Sequence, residues 1–222
     1  MGETTRTIGI LLFPGVEELD FAGPWEVLAF WTRTCPEDGW QVITLSRDGA
    51  PVECAKGLKV TPDHSFGTAP DLDVLVFPGG MGTRPLVHDE PTLDWLRARR
   101  ADIPLITSVC TGALVLAAAG LLAGRAATTH WLSLDTLAKL DPTIDIRPDD
   151  RFVDAGDIIT SSGVSAGIDM ALHLLRRLAG DERARWVRRG IQYDPEPPAA
   201  TAWPAGATWA PPAVDPAAPQ PR

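Results

Sequence analysis

The strongest constraint on this chain lies in residues 103–120, IPLITSVCTGALVLAAAG, where an uncharged, β-branched run passes directly into one rich in alanine and leucine. The first half suits a strand buried on both faces of a parallel sheet, and the second favours helix. Parallel strands need helices to cover their faces, so this stretch commits the chain to an α/β architecture. Ser108-Val109-Cys110-Thr111-Gly112 is then the strand-to-helix turn. It has the form of a nucleophile elbow, in which small neighbours let one side chain stand at the carboxyl end of a sheet. There Cys110 meets the positive end of the helix dipole, which is expected to stabilise a thiolate. The turn alone leaves Cys110 open between a nucleophile and a small hydrophobe of the core, since free cysteine is among the most buried residue types.

The remaining segments alternate in the same way. Strands are expected over 7–13, 41–46, 73–77, 144–147 and 157–160, and helices over 23–32, 91–101, 111–119, 132–140 and 166–179, the last followed by a basic helix. A hairpin is expected over 51–60, turning at Lys56-Gly57. The pattern predicts a flavodoxin-like three-layer α/β/α sandwich with a mainly parallel sheet over residues 1–194. From 195 to 222 proline and alanine dominate, with Trp203 and Trp209 the only large apolar side chains. Such a composition cannot build a core, so an extended or disordered tail is expected there.

Charge and composition exclude several functions. A formal net charge of −9, from 20 Lys and Arg against 29 Asp and Glu, argues against nucleic acid as a partner. Arg97, Arg99 and Arg100, like the arginines of 183–189, read as solvated helix faces. The first strand starts within a few residues of Met1 and no apolar run approaches a membrane span, so a cytoplasmic protein without a membrane partner is expected. Cys35, Cys54 and Cys110 are odd in number and far apart, and His64, His88, His130 and His173 are equally scattered. Neither a disulfide framework nor a metal site is suggested. Gly79-Gly80-Met81-Gly82 lacks the spacing of a nucleotide-binding loop.

In open α/β sheets ligands bind beyond the carboxyl ends of the strands, so the residues that follow each strand belong together. Pro14-Gly15-Val16-Glu17-Glu18-Leu19-Asp20 follows the first strand, Pro78-Gly79-Gly80 the strand at 73–77, and Cys110-Thr111-Gly112 the strand before the elbow. A carboxylate, a glycine turn with exposed N–H groups and a thiol are an inventory for covalent catalysis with an acid/base and an oxyanion site. Each residue also has a plainer reading: Asp20 and Thr111 as helix caps, Gly80 as a tight turn. Glu17 and Glu18 are rival acids expected to face solvent, and His130 is expected to be structural, with entry into the site as its other reading. Trp25, Trp31 and Trp131 read first as core and second as pocket wall.

PGVEELDFAGPWEVL, DVLVFPGGMG, ITSVCTGALVLAAAGLLAGRAATTHW and SSGVSAGIDMALHLL together resemble the DJ-1/PfpI superfamily, over about residues 7–198. The resemblance implies a cofactor-independent enzyme, a homodimer, that hydrates an isocyanide, R–N≡C, to an N-substituted formamide through a covalent cysteine thioimidate. It makes Cys110 the nucleophile and Asp20 the proton carrier, and gives Gly79, Gly80 and Thr111 the anion-stabilising groups. The superfamily's peptidase-like members carry a histidine directly after the nucleophile, where this chain has Thr111. Its regulators carry an added helix-turn-helix region, where this chain has the proline-rich segment. The same resemblance leaves two alternatives: a glyoxalase-like activity on 2-oxoaldehydes, and a non-enzymatic cysteine redox sensor.

Overall fold

The computed structural model describes residues 5–193. The elements run β1 (Arg6–Leu11), α1 (Glu18–Thr34), β2 (Trp40–Ser46), β3 (Val52–Glu53), β4 (Lys59–Val60), β5 (His64–Ser65), β6 (Val74–Phe77), α2 (Thr83–Leu86), α3 (Glu90–Arg99) and β7 (Leu105–Val109). They continue with α4 (Gly112–Ala118), β8 (Ala126–Ala127), α5 (Leu134–Leu140), β9 (Asp145–Ile146), β10 (Phe152–Asp154), β11 (Ile158–Ser161) and α6 (Ala166–Gly190). The uncharged strands β6, β7 and β11 are buried along their whole length, and β1 is exposed only at Arg6. Strands buried on both faces must lie inside a covered sheet. They do so in a seven-stranded sheet of order β10-β11-β7-β6-β1-β2-β5, parallel except for the edge strand β10. The hydrophobic faces of α1 and α6 pack on one another, while α2, α3 and α5 gather about α4. This is the flavodoxin-like sandwich expected from the alternation of segments.

The chain starts in the middle of the sheet, moves outward to β2 and β5, then returns to β6 on the other side of β1. Ile10 is accordingly flanked by Thr44 of β2 and by Val76 of β6. That reversal leaves a crevice at the carboxyl ends of β1 and β6, with β7 next in line. The described residues up to Gln192 belong to one compact unit. The expected tail at 195–222, and the expectation of an extended conformation there, lie outside the described residues.

Several segments differ from expectation for identifiable reasons. Helix α1 starts at Glu18 rather than at 23, and Pro24 lies inside it. Proline removes the hydrogen bond to the carbonyl four residues earlier, but Phe21, Val27, Leu28 and Trp31 on the same helix are buried, and that packing outweighs one lost bond. The strand expected at 144–147 shrinks to β9, which pairs with β8 in a separate two-stranded sheet. The span of α6 is two helices divided at the non-helical Gly180 (φ 87°), so the helix expected over 166–179 and the separate basic helix after it both form. The hairpin forms between β3 and β4 as expected.

Candidate active site

Cys110 follows β7 with φ 55°, a left-handed conformation that costs a non-glycine residue about 1–2 kcal/mol. The surroundings hold it there. Its N–H is shared between the carbonyls of Ser161 and Ser162, each at 3.1 Å, and its carbonyl accepts the buried Thr129 hydroxyl at 2.7 Å. With both backbone groups fixed, the side chain is turned away from the strand and its sulfur meets the N–H groups of Thr111 and Val164. Val164 is itself strained, at φ 42°, a conformation rare for a β-branched residue. It stands in the connection between β11 and α6, inside the SSGVSAG stretch that carries part of the family resemblance, although Val164 itself was not singled out as a site residue.

The thiol is buried and pushed up to about 12, first by the loss of water and then by the negative charge of Asp20. The expectation that the helix dipole would hold a thiolate is therefore corrected. α4 is a seven-residue helix, and the N–H groups of Thr111 at its start and of Val164 do not offset burial beside a carboxylate.

Asp20 lies on the first turn of α1 and is fully buried. Its Oδ2 accepts the N–H of Gly79 at 2.9 Å. Oδ1 has no hydrogen-bond partner among the described residues. The Cys110 thiol faces the carboxyl more loosely than in a conventional hydrogen bond, yet near enough for each group to shift the other's titration. Burial, seconded by the charge of Glu17, raises the Asp20 carboxyl from 3.8 to about 7. The capping role considered for Asp20 is excluded, because Glu17 occupies the cap position of α1 and no side chain bonds the helix start.

Gly79 and Gly80 let the chain pass between these groups. A Cβ on Gly79 would lie 2.6 Å from the Thr111 nitrogen, 2.7 Å from its hydroxyl and 2.8 Å from Asp20 Oδ2. Gly80, at φ 120°, would put a Cβ 2.3 Å from the nitrogen of Glu17. Thr111 takes the cap position of α4, but its hydroxyl makes no cap bond and accepts the Gly80 N–H at 3.0 Å instead. Thr83, also absent from the sequence reading, is fully buried and reaches both Thr111 Oγ1, at 3.0 Å, and the Gly80 carbonyl, at 2.8 Å.

The rival residues fall outside this cluster. Glu17 pairs with the Lys56 ammonium, and Glu18 accepts the Lys56 N–H at 2.7 Å, so both lie on the β3–β4 hairpin rather than in open solvent. Glu17 nevertheless contributes its charge to Asp20. His130 accepts the Leu132 N–H through Nδ1 and its ring lies where a side chain on Gly163 would be, which is a structural placement. Burial and the Arg84 charge hold it below the usual histidine range. Trp31 is core, donating to Asp38 at 2.6 Å, and Trp131 is 54% exposed. A cavity of about 500 Å³ opens beyond β1 and β2, lined by Phe13, Arg47, Val52, Phe66 and Leu86 among others, and is not bordered by Cys110, Asp20 or Thr111. Among the described residues no cluster of three His, Cys, Asp or Glu side chains could hold a metal ion. Nor, among them, is any helix long and apolar enough to cross a membrane.

A mainly parallel sheet with a cysteine on a strained elbow, a buried carboxylate facing it and a double-glycine turn closing the site defines a class of cysteine-centred α/β proteins. The chain belongs to the DJ-1/PfpI family, whose model matches residues 6–177. It is 45% identical over 192 residues to isonitrile hydratase of Pseudomonas putida, covering 86% of this chain and 80% of the relative. A solved ThiJ/PfpI family protein from Pseudomonas syringae superposes with a TM-score of 0.79 at 35% identity, over 93% of this chain and 80% of the other. Drosophila melanogaster DJ-1beta superposes with a TM-score of 0.75 at 26% identity, over 86% of this chain and all of the other, 100%.

Proposed function

We propose that this chain hydrates isocyanides to N-substituted formamides, with Cys110 as nucleophile and Asp20 as the carrier of every proton. The observation that carries this reading is the buried pair itself, a thiol held up to about 12 facing a carboxyl held up to about 7. Above about pH 7 such a pair keeps one proton, on sulfur, with the base that will remove it already in place. The similarity to isonitrile hydratase supports the choice of substrate.

The steps balance without a cofactor. Asp20 takes the thiol proton as sulfur bonds to the terminal isocyanide carbon, then returns it to that carbon, leaving the thioimidate R–N=CH–S–Cys110. Water attacks the same carbon while Asp20 carries one of its protons to nitrogen. The carbon–sulfur bond then breaks, the hydroxyl becomes the formyl oxygen, and its proton passes through Asp20 back to sulfur. The Thr111 N–H is the anion-stabilising group of this scheme, while the Gly80 N–H donates to the Thr111 hydroxyl and Gly79 orients the carboxylate.

In this proposal residues 1–194 are the DJ-1/PfpI-like domain that carries the chemistry, followed by the proline- and alanine-rich segment 195–222. A homodimer is part of the proposal. Leu19, Met81, Trp131 and Leu132, chain neighbours of Asp20, Gly80 and His130, are 39%, 66%, 54% and 60% exposed, an apolar set that a second copy would cover. A cytoplasmic location is supported by the free thiols Cys35, Cys54 and Cys110. The test is formamide production from a panel of alkyl and aryl isocyanides, with intact-protein mass on wild type during turnover to detect the adduct, which Asp20→Asn should not form. Turnover by wild type and none by Cys110→Ala is expected. Lactate formed from methylglyoxal faster than any formamide would overturn the hydratase reading in favour of a glyoxalase-like one.

A further inference from the structure

Beyond the carboxyl ends of β1 and β2 lies the cavity of about 500 Å³ that Cys110, Asp20 and Thr111 do not border. Its size falls within the range of small-molecule sites, about 300–1,000 Å³, and strand carboxyl ends are where open α/β sheets bind ligands. A partition divides it from the Cys110 site. Pro14 and Gly82 line the cavity, and behind them the Gly82 N–H donates to the Gly15 carbonyl at 3.0 Å. The walls are apolar: Phe13 and Val52 are buried, and Phe66 is backed by Trp95, stacked on it at 4.0 Å and 12°. The charges that line it are already engaged. Arg47 pairs with the Asp89 carboxylate and donates to the Thr92 hydroxyl, and Asp89 also accepts the Thr92 N–H at 3.0 Å. Asp48 is exposed and turns its carboxylate onto the Ala50 N–H at 3.0 Å. An entering anion would meet these two carboxylates against one guanidinium, and a cation would have to displace bonds that both carboxylates already make. An uncharged ligand therefore loses least on entry. His88 is the lining polar side chain whose ring has no hydrogen bond among the described residues, and a neutral imidazole can serve a carbonyl as donor or an N–H as acceptor.

We propose that this cavity is a second ligand site, separate from Cys110, for an uncharged aromatic molecule that carries one amide or carbonyl group. Its ring lies against Phe13, Phe66 and Leu86, and its polar group bonds to His88. Apolar contact supplies the affinity, while the matched Arg47–Asp89 pair and the one available imidazole set the ligand's charge and polarity. The site does not depend on the reaction assigned to Cys110, because binding is read without turnover.

The probe is 4-fluorobenzamide, titrated against the full chain by fluorine NMR, with 4-fluorobenzoate and 4-fluorobenzylammonium as its charged counterparts. Saturable binding of the amide is expected with a Kd of about 5 mM or tighter, the scale for a ligand of about ten non-hydrogen atoms. Each charged counterpart is expected to bind about tenfold or more weakly, since it must give up its hydration without a free partner. Leu86→Trp, which puts an indole into the cavity, is expected to abolish binding. His88→Ala is expected to weaken it about two- to tenfold, the scale of one neutral hydrogen bond. Crystals soaked with 4-bromobenzamide, whose bromine is located by anomalous scattering, should show it among Phe13, Phe66 and Leu86. Melting temperatures establish that the variants fold; should Leu86→Trp fail to, Ala50→Trp at the exposed mouth takes its place. No saturation up to about 20 mM overturns the proposal, as does affinity that survives the tryptophan, or a bromine found beside Cys110. A charged counterpart that binds as tightly as the amide overturns the ligand class, and wild-type affinity in His88→Ala overturns the part given to His88.

Discussion

Replacing Asp20 by asparagine should stabilise the folded chain at neutral and alkaline pH while abolishing turnover. The buried carboxyl titrates at about 7 in the folded chain against 3.8 for an unperturbed group. The folded state thus binds this proton more tightly than the unfolded one. The group's stability contribution is full below about pH 4, falls as pH rises, and is lost once pH passes about 7. A shift of about three units corresponds to up to about 4 kcal/mol at pH 8, at about 1.4 kcal/mol per unit. Asparagine has no proton to lose and keeps an oxygen for the Gly79 N–H. At 2–4 °C per kcal/mol for a domain of this size, the variant should melt roughly 10 °C above wild type at about pH 8 and close to it at about pH 4. Thermal unfolding followed by circular dichroism across that range measures the difference directly. Parallel curves for the two proteins, or a variant that is less stable at alkaline pH, would refute the assignment of a strained, ionised carboxyl to this position.

Four further outcomes follow from the same geometry. With wild type, kcat/KM for isocyanide should rise with unit slope through about pH 7, as Asp20 ionises, and stay flat well beyond it, because the thiol titrates only near 12. Glu17→Gln removes the neighbouring charge that raises the Asp20 carboxyl, so that rise should move to lower pH in a rate profile. Gly80→Ala meets the Glu17 nitrogen at 2.3 Å and should cost several kcal/mol, on the order of 3 or more, seen as a collapse of the melting temperature or of soluble yield. Cys110→Gly, which suits φ 55°, should be more stable than Cys110→Ala by about 1 kcal/mol in urea unfolding, with both inactive.

Much of the architecture was legible because it depends on periodicity. The uncharged runs at 74–77 and 103–109, and the alanine-rich turn into helix after Cys110, specify burial on both faces and a parallel sheet whatever their neighbours. Cys110, Asp20, Gly79, Gly80 and Thr111 were legible as members of one strand-end cluster, and the structure brings all five together. The start of α1 was not, because Pro24 reads as a boundary and only the packing of Phe21, Val27 and Trp31 overrides it. That error mattered for Asp20, which as a residue of the helix rather than of a loop is aimed at Gly79 and not at a helix end. Thr83 and Val164 were missed for another reason: a threonine in a short turn and a valine among serines carry no pattern, and their parts arise from partners far along the chain.

By itself the sequence determined which segments are strands and helices, that the sheet is parallel, and that a cysteine stands at the carboxyl edge, since these follow from local pattern and from rules of connection. Only the tertiary structure decided the chemical state of that cysteine. The helix dipole, visible in the sequence, predicts a thiolate, whereas burial beside Asp20 yields a thiol held at about 12. Electrostatic free energy depends on which groups share a dry space, and no linear pattern records that.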